Sequence, residues 1–101
     1  MATELTNERD SYVDAIRDNY GKGLFYLHLS IEYSNNGNLL LAIENGKKSL
    51  EIFKKVLGTE HPYYATSLNN LALCYSYLGN YPEAIRLGTE AMGITKKALG
   101  T

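Results

Sequence analysis

The chain has 101 residues, 45% hydrophobic and 21% charged, with a net charge of −1. That length fits one domain, and near-neutrality gives no general field for gathering nucleic acid, so nucleic acid is not an expected partner. No apolar run exceeds five residues, as at Leu39 to Ile43, against about 20 for a spanning helix, so no membrane partner is expected either. The single cysteine excludes an internal disulfide framework and fits a reducing, cytoplasmic setting.

The first ten residues lack the basic-then-apolar layout of a signal peptide, and residues 1–4 read as frayed. Leu5, Tyr12, Val13, Ile16 and Tyr20 then fall at helical spacing. They predict a leading helix over residues 5–20, packed on the open side of the first helical unit. Gly21-Lys22-Gly23 reads as its end, because glycine is favoured just past a helix terminus. A helix over residues 24–36 carries two stripes. One is Tyr26, Leu29, Ser30 and Tyr33; the other is Leu24, Leu27, His28, Ile31 and Asn35. Asn36-Gly37-Asn38 suits a tight turn. Residues 39–57 form the next helix, with Leu41, Ala42, Leu50, Phe53, Val56 and Leu57 inward. Glu44–Lys48 and Glu51–Lys55 make i,i+4 pairs on its wet side. Gly58 closes this helix and His61-Pro62 opens the one over residues 63–78. After a turn at Gly79-Asn80, a last helix covers residues 81–99. Asn80 and Glu83 resemble a capping box there, with Pro82 in the first turn.

Sliding the chain by 42 places superposes it on itself. Tyr33 falls on Tyr75, Gly37-Asn38 on Gly79-Asn80, Ala42-Ile43 on Ala84-Ile85, and Leu57-Gly58-Thr59 on Leu99-Gly100-Thr101. From Leu24/Thr66 to Thr59/Thr101, 14 of 36 pairs are identical, where ordinary residue frequencies give about two or three. A period of this size marks stacked helical hairpins. The two units cover residues 23–58 and 65–100, although about three are usually needed for a stable stack. The repeated mid-helix glycines, Gly46 and Gly88, each cost about 1 kcal/mol relative to alanine. Their recurrence predicts close helix approach, with a tyrosine ring filling the space.

Leu71-Ala72, Tyr75, Gly79, Tyr81 and Ala84 lie at the spacing of the tetratricopeptide repeat, as do Leu29-Ser30, Tyr33, Gly37, Leu39 and Ala42. The 42-residue period, the Leu-Gly-Thr-Glu-His-Pro link and Ser67-Leu-Asn-Asn-Leu-Ala72 resemble the long variety found in kinesin light chains. The resemblance covers roughly residues 23–101. It implies an all-α solenoid of helix pairs in a right-handed superhelix. The first helix of each pair would line a concave groove that binds peptides or partner helices. The chain departs from the pattern at Gly46 and Gly88, where a large residue is usual. It also has Leu27-His28 where the second unit has Asn69-Asn70.

Leu68, Leu71, Ala72, Tyr75 and Leu78 read as core. The partner-binding residues expected in the groove are Thr66, Asn69, Asn70, Leu73 and Tyr77, with Leu27, His28, Ile31 and Asn35 beside them. Asparagine offers a donor and an acceptor to an extended peptide backbone, and the alternative for Asn69 or Asn70 is bracing of neighbouring helices. No lysine or arginine stands on this stripe. An acidic tail is therefore disfavoured, and a neutral, partly apolar peptide fits better. The lysine pairs Lys47-Lys48, Lys54-Lys55 and Lys96-Lys97 read as a solvated convex face. His28 and His61 have no ligand partners at metal spacing, and Cys74 reads as an inert thiol, buried or half-buried. No phosphate loop, nucleophile elbow or paired catalytic carboxylate is present, so neither catalysis nor a cofactor is expected. Leu87, Met92, Ile94 and Leu99 on the last helix lack a following helix and predict self-association. The alternatives to a binding module are a self-assembling structural repeat, oligomeric or helix-swapped, and a regulatory fragment of a larger signalling protein or enzyme.

Overall fold

The computed structural model describes the backbone of residues 2–100 and the side chains of residues 18–100. It is all-α, with α1 (Ala2–Asn35), α2 (Leu39–Val56), α3 (Pro62–Leu78) and α4 (Tyr81–Ala98). α1 packs antiparallel on α2 and α3 on α4, and α2 packs on α3 to join the two hairpins. The radius of gyration is 16.2 Å, above the ~13 Å of a compact domain this size. That suits a short stack of two hairpins, each packed on the other.

The helix ends obey local chemistry. Gly37, Gly58, Gly79 and Gly100 all have positive φ, the left-handed conformation that stops a helix and that glycine adopts without strain. Asn38 and Asn80 begin the second helix of each hairpin, each side-chain oxygen accepting a backbone N–H, from Leu41 and Glu83 respectively, at 3.4 Å. The capping box at Asn80 is only half made. The Glu83 carboxylate turns to Arg86, 3.1 Å from its Nε, and that bond holds the carboxyl below its ordinary range. His61 caps α3 through Nδ1, which accepts from the Tyr63 N–H at 3.1 Å.

The expected break at Gly21-Lys22-Gly23 does not occur, and α1 runs straight through it. The first-unit helix is therefore continuous with the leading helix. Neither glycine takes a positive φ, so neither ends a helix. Gly23 is instead a contact point. A Cβ there would lie 2.7 Å from the Phe53 ring. Tyr20, one turn earlier, meets Phe53 and Tyr63 with ring centroids 6.4 and 5.8 Å apart. The leading-helix positions Leu5, Tyr12, Val13 and Ile16 lie outside the described side chains.

The core runs between the helices as a thin seam of Leu27, Ala42, Ile43, Phe53, Leu68, Leu71, Cys74, Leu87, Ala91 and Ile94. Two expected core positions differ, since Leu41 and Leu78 are exposed at the hairpin turns. Ile43, not expected in the core, is buried. Gly46 shows the predicted close approach, but the space is filled by Leu71 and Ser30 rather than a tyrosine. A Cβ at Gly46 would sit 2.8 Å from Leu71 Cδ2 and 3.0 Å from Ser30 Oγ. At Gly88 the nearest such atom is the Ala72 Cβ, at 3.9 Å. The repeated glycine is thus tightly overlaid by its neighbours in one unit and only loosely approached in the other. Glu44 and Lys48 pair at 3.9 Å, both largely exposed, a contact worth little in water.

Candidate functional site

The leading helices of the two hairpins, α1 and α3, are joined at one hydroxyl. Ser30 is fully buried and donates to the Ala42 carbonyl on α2 at 2.6 Å. It accepts from the Asn70 amide nitrogen on α3. Three helices therefore meet at this oxygen. A second buried pair, Ser49 and Ser67 at 3.0 Å, ties α2 to α3. Among the described residues no buried side-chain nitrogen or oxygen lacks a partner, which a rigid junction in low dielectric requires. Cys74 lies at the same seam, fully buried. Burial pushes its thiol up, against the Ser34 and Ser30 hydroxyls, which pull it down.

Along this junction the α1 and α3 side chains differ in exposure. Ile31 is 38% exposed, and one repeat later Leu73 is 48% and Tyr77 63% exposed. His28, Asn35 and Thr66 are also exposed. The Thr66 hydroxyl donates to its own helix, at the Pro62 carbonyl. Asn70 is half-buried and spends one N–H on Ser30. Asn69 is exposed but turns to the opposite side, where it lines a pocket with Gly88 and Met92 on α4. Leu27 is buried in the core, a correction to its assignment as a groove residue. The Ser30 hydroxyl bonds α2, which turns the Leu27–Ser30 side of α1 inward.

The surface expected on α4 divides likewise. Met92 is 68% and Leu99 75% exposed. Leu87 and Ile94 are buried and belong to the core, so they are not surface residues. Ile85 is exposed as well, a position not expected from the sequence. Among the described residues no group of three histidine, cysteine or carboxylate side chains could hold a metal. No helix of the described residues is long and apolar enough to cross a membrane.

No curated protein is significantly similar to the chain. The tetratricopeptide repeat family model matches residues 26–97. Repeats of this family generally mediate protein–protein interaction without catalysis. The match spans both hairpins and the interface between them, and the chain belongs to the tetratricopeptide repeat family.

Proposed function

We propose that the chain is a non-catalytic module that binds a peptide or a partner helix along the α1–α3 junction, in a cytoplasmic setting. The observation that carries this reading is the exposed series Ile31, Leu73 and Tyr77, standing beside a floor braced by Ser30 and Asn70. Rigid support lowers the ordering cost of binding, and a tyrosine presents area with little rotamer entropy to lose. His28, Asn35 and Thr66 add neutral polar contacts, so the ligand is a neutral, partly apolar segment. The test is selection of peptide ligands against the intact chain. Leu73→Ala and Tyr77→Ala should each weaken selected ligands about tenfold. Ligands indifferent to Ile31→Asp, Leu73→Ala and Tyr77→Ala together would refute the site.

A second reading, self-assembly, is supported by the row Ile85, Met92 and Leu99 on α4, each at least 67% exposed. Light scattering that shows one chain per particle from about 10 μM to about 1 mM would remove it.

A further inference from the structure

We propose that copies of this chain stack head to tail, one copy's Leu29 seating on the next copy's Gly88 and its Phe25 filling the space at Thr95. This rests on the self-assembly reading and names the surfaces that mate; it does not depend on the peptide trough.

The template is the contact between α2 and α3. On α2, Ile43 is 8% exposed and Phe53 fully buried, with Gly46 buried between them under Leu71. Moved on by 42 residues, this row becomes Ile85, Gly88 and Thr95 on α4. Ile85 is 67% exposed there, and a Cβ at Gly88 would meet only the Ala72 Cβ, at 3.9 Å. Gly88, Met92, Thr95 and Leu99 line a pocket of about 480 Å³, with Asn69 and Lys96 at its polar edge. α4 thus carries the receiving half of an interface whose inserting half, on α3, is Ser67 and Leu71.

The inserting half recurs at the other end of the molecule. Forty-two residues before Leu71 is Leu29, and before Ser67 is Phe25, 59% exposed. The leucine-on-glycine pair is therefore repeated with both partners unchanged in kind. The second position differs in size. Within the chain Ser67 meets Ser49, one turn before Phe53, whereas the free ends place a large Phe25 in the register of Ser67 and a small Thr95 in the register of Phe53. The ring lost at Thr95 is offset by the ring gained at Phe25, and exchanges that keep volume are the ones packed cores tolerate best.

Lys22 and Glu32 stand toward the two ends of the inserting row. Lysine is long enough to keep its ammonium in water. Glu32 takes the register of Cys74, and Ser76 takes that of Ser34, the hydroxyl beside Cys74. Unlike surfaces mating in this way leave one of each free, so growth is open-ended rather than closed at a dimer.

Sedimentation equilibrium on the whole chain tests this. The average mass of the wild type should rise with concentration without a plateau at two chains. Gly88→Leu or Met92→Glu blocks the receiving end, and Phe25→Asp blocks the inserting end. All three sites are open or exposed, and far-UV circular dichroism should show unchanged helix content. Each variant alone should raise the dissociation constant at least tenfold. An equimolar mixture of Gly88→Leu and Phe25→Asp should recover wild-type affinity but stop at two chains, because one intact pair remains. A monomeric wild type would overturn both the proposal and the self-assembly reading. Association that persists in the single variants, or a mixture that stays monomeric, would overturn the proposal alone.

Discussion

Gly46 and Gly88 occupy the same register, 42 residues apart, so replacing each by alanine isolates their surroundings. Both substitutions gain helix propensity, about 1 kcal/mol. At Gly88 nothing opposes that gain, since the nearest atom to an added Cβ is 3.9 Å away. Gly88→Ala should stabilise the chain by about 0.5–1 kcal/mol. At Gly46 the same Cβ would lie 2.8 and 3.1 Å from two atoms of Leu71 and 3.0 Å from Ser30 Oγ. Leu71 is 1% exposed and has nowhere to move. Overpacking of this kind costs about 1–3 kcal/mol. Displacing Ser30 weakens its bonds to Ala42 and Asn70, at about 1 kcal/mol each. The net for Gly46→Ala is a loss of about 1–3 kcal/mol. The two variants should therefore melt apart by roughly 6–32 °C, at 4–8 °C per kcal/mol for a domain of this size. Thermal and urea unfolding followed at 222 nm, at low micromolar concentration and at two concentrations, measures this directly. If both variants shift the same way, the close approach of α3 to Gly46 is wrong.

The glycines of α1 behave as a second contrast. Gly21 has open space and sits inside a continuous helix, so Gly21→Ala should stabilise by about 0.5–1 kcal/mol. Gly23→Ala drives a methyl into the Phe53 ring and should destabilise by about 1–2 kcal/mol; a helix break at these residues would make both changes unfavourable. Ser30→Ala removes the oxygen shared by three helices and should cost about 2 kcal/mol in urea unfolding, whereas a loss below about 0.5 kcal/mol would show that the junction is not braced there. The Cys74 thiol is buried, and burial raises its pKa. The thiolate is the reactive form. Labelling by a disulfide reagent should run about a hundredfold or more slower in buffer than in urea, and fast native labelling would contradict that burial.

Much of this was legible because it rests on local chemistry. The starts at Leu39 and Tyr81 come from Asn38 and Asn80, which cap whatever helix comes next. The stops at Gly37, Gly58 and Gly79 come from the conformation each adopts. What misled was chemistry whose meaning lies in another element. Gly21 and Gly23 look like a stop, yet their residue type does not reveal whether φ turns positive or a phenylalanine from α2 must pass. Leu27 and Ile31 share a stripe at one-turn spacing, and only the Ser30 bond to Ala42 decides that Leu27 turns inward while Ile31 stays out. Leu87 and Ile94 look unpartnered for a similar reason. The helix that covers them, α3, comes before them in the chain, not after.

The repeat therefore specifies less than its identities suggest. Leu29 and Leu71, Gly46 and Gly88, and Ile43 and Ile85 are the same residue types at the same register. In each pair the one between the hairpins is covered and the one at an end is less so. Burial here is a property of position in the stack rather than of the residue, as expected when each unit contacts only its neighbours. Selection for the inner interface alone would leave the outer copies free to become polar, as Lys22 and Glu32 have against Tyr64 and Cys74. Phe25 and Met92 run the other way. Each stands at an end of the stack, where the inner counterparts are Ser67 and Leu50, and each is more than half exposed. An apolar side chain held at an end costs solubility with no return inside a lone chain. That imbalance is why the ends of this molecule, and not only its trough, are read as surfaces that meet something.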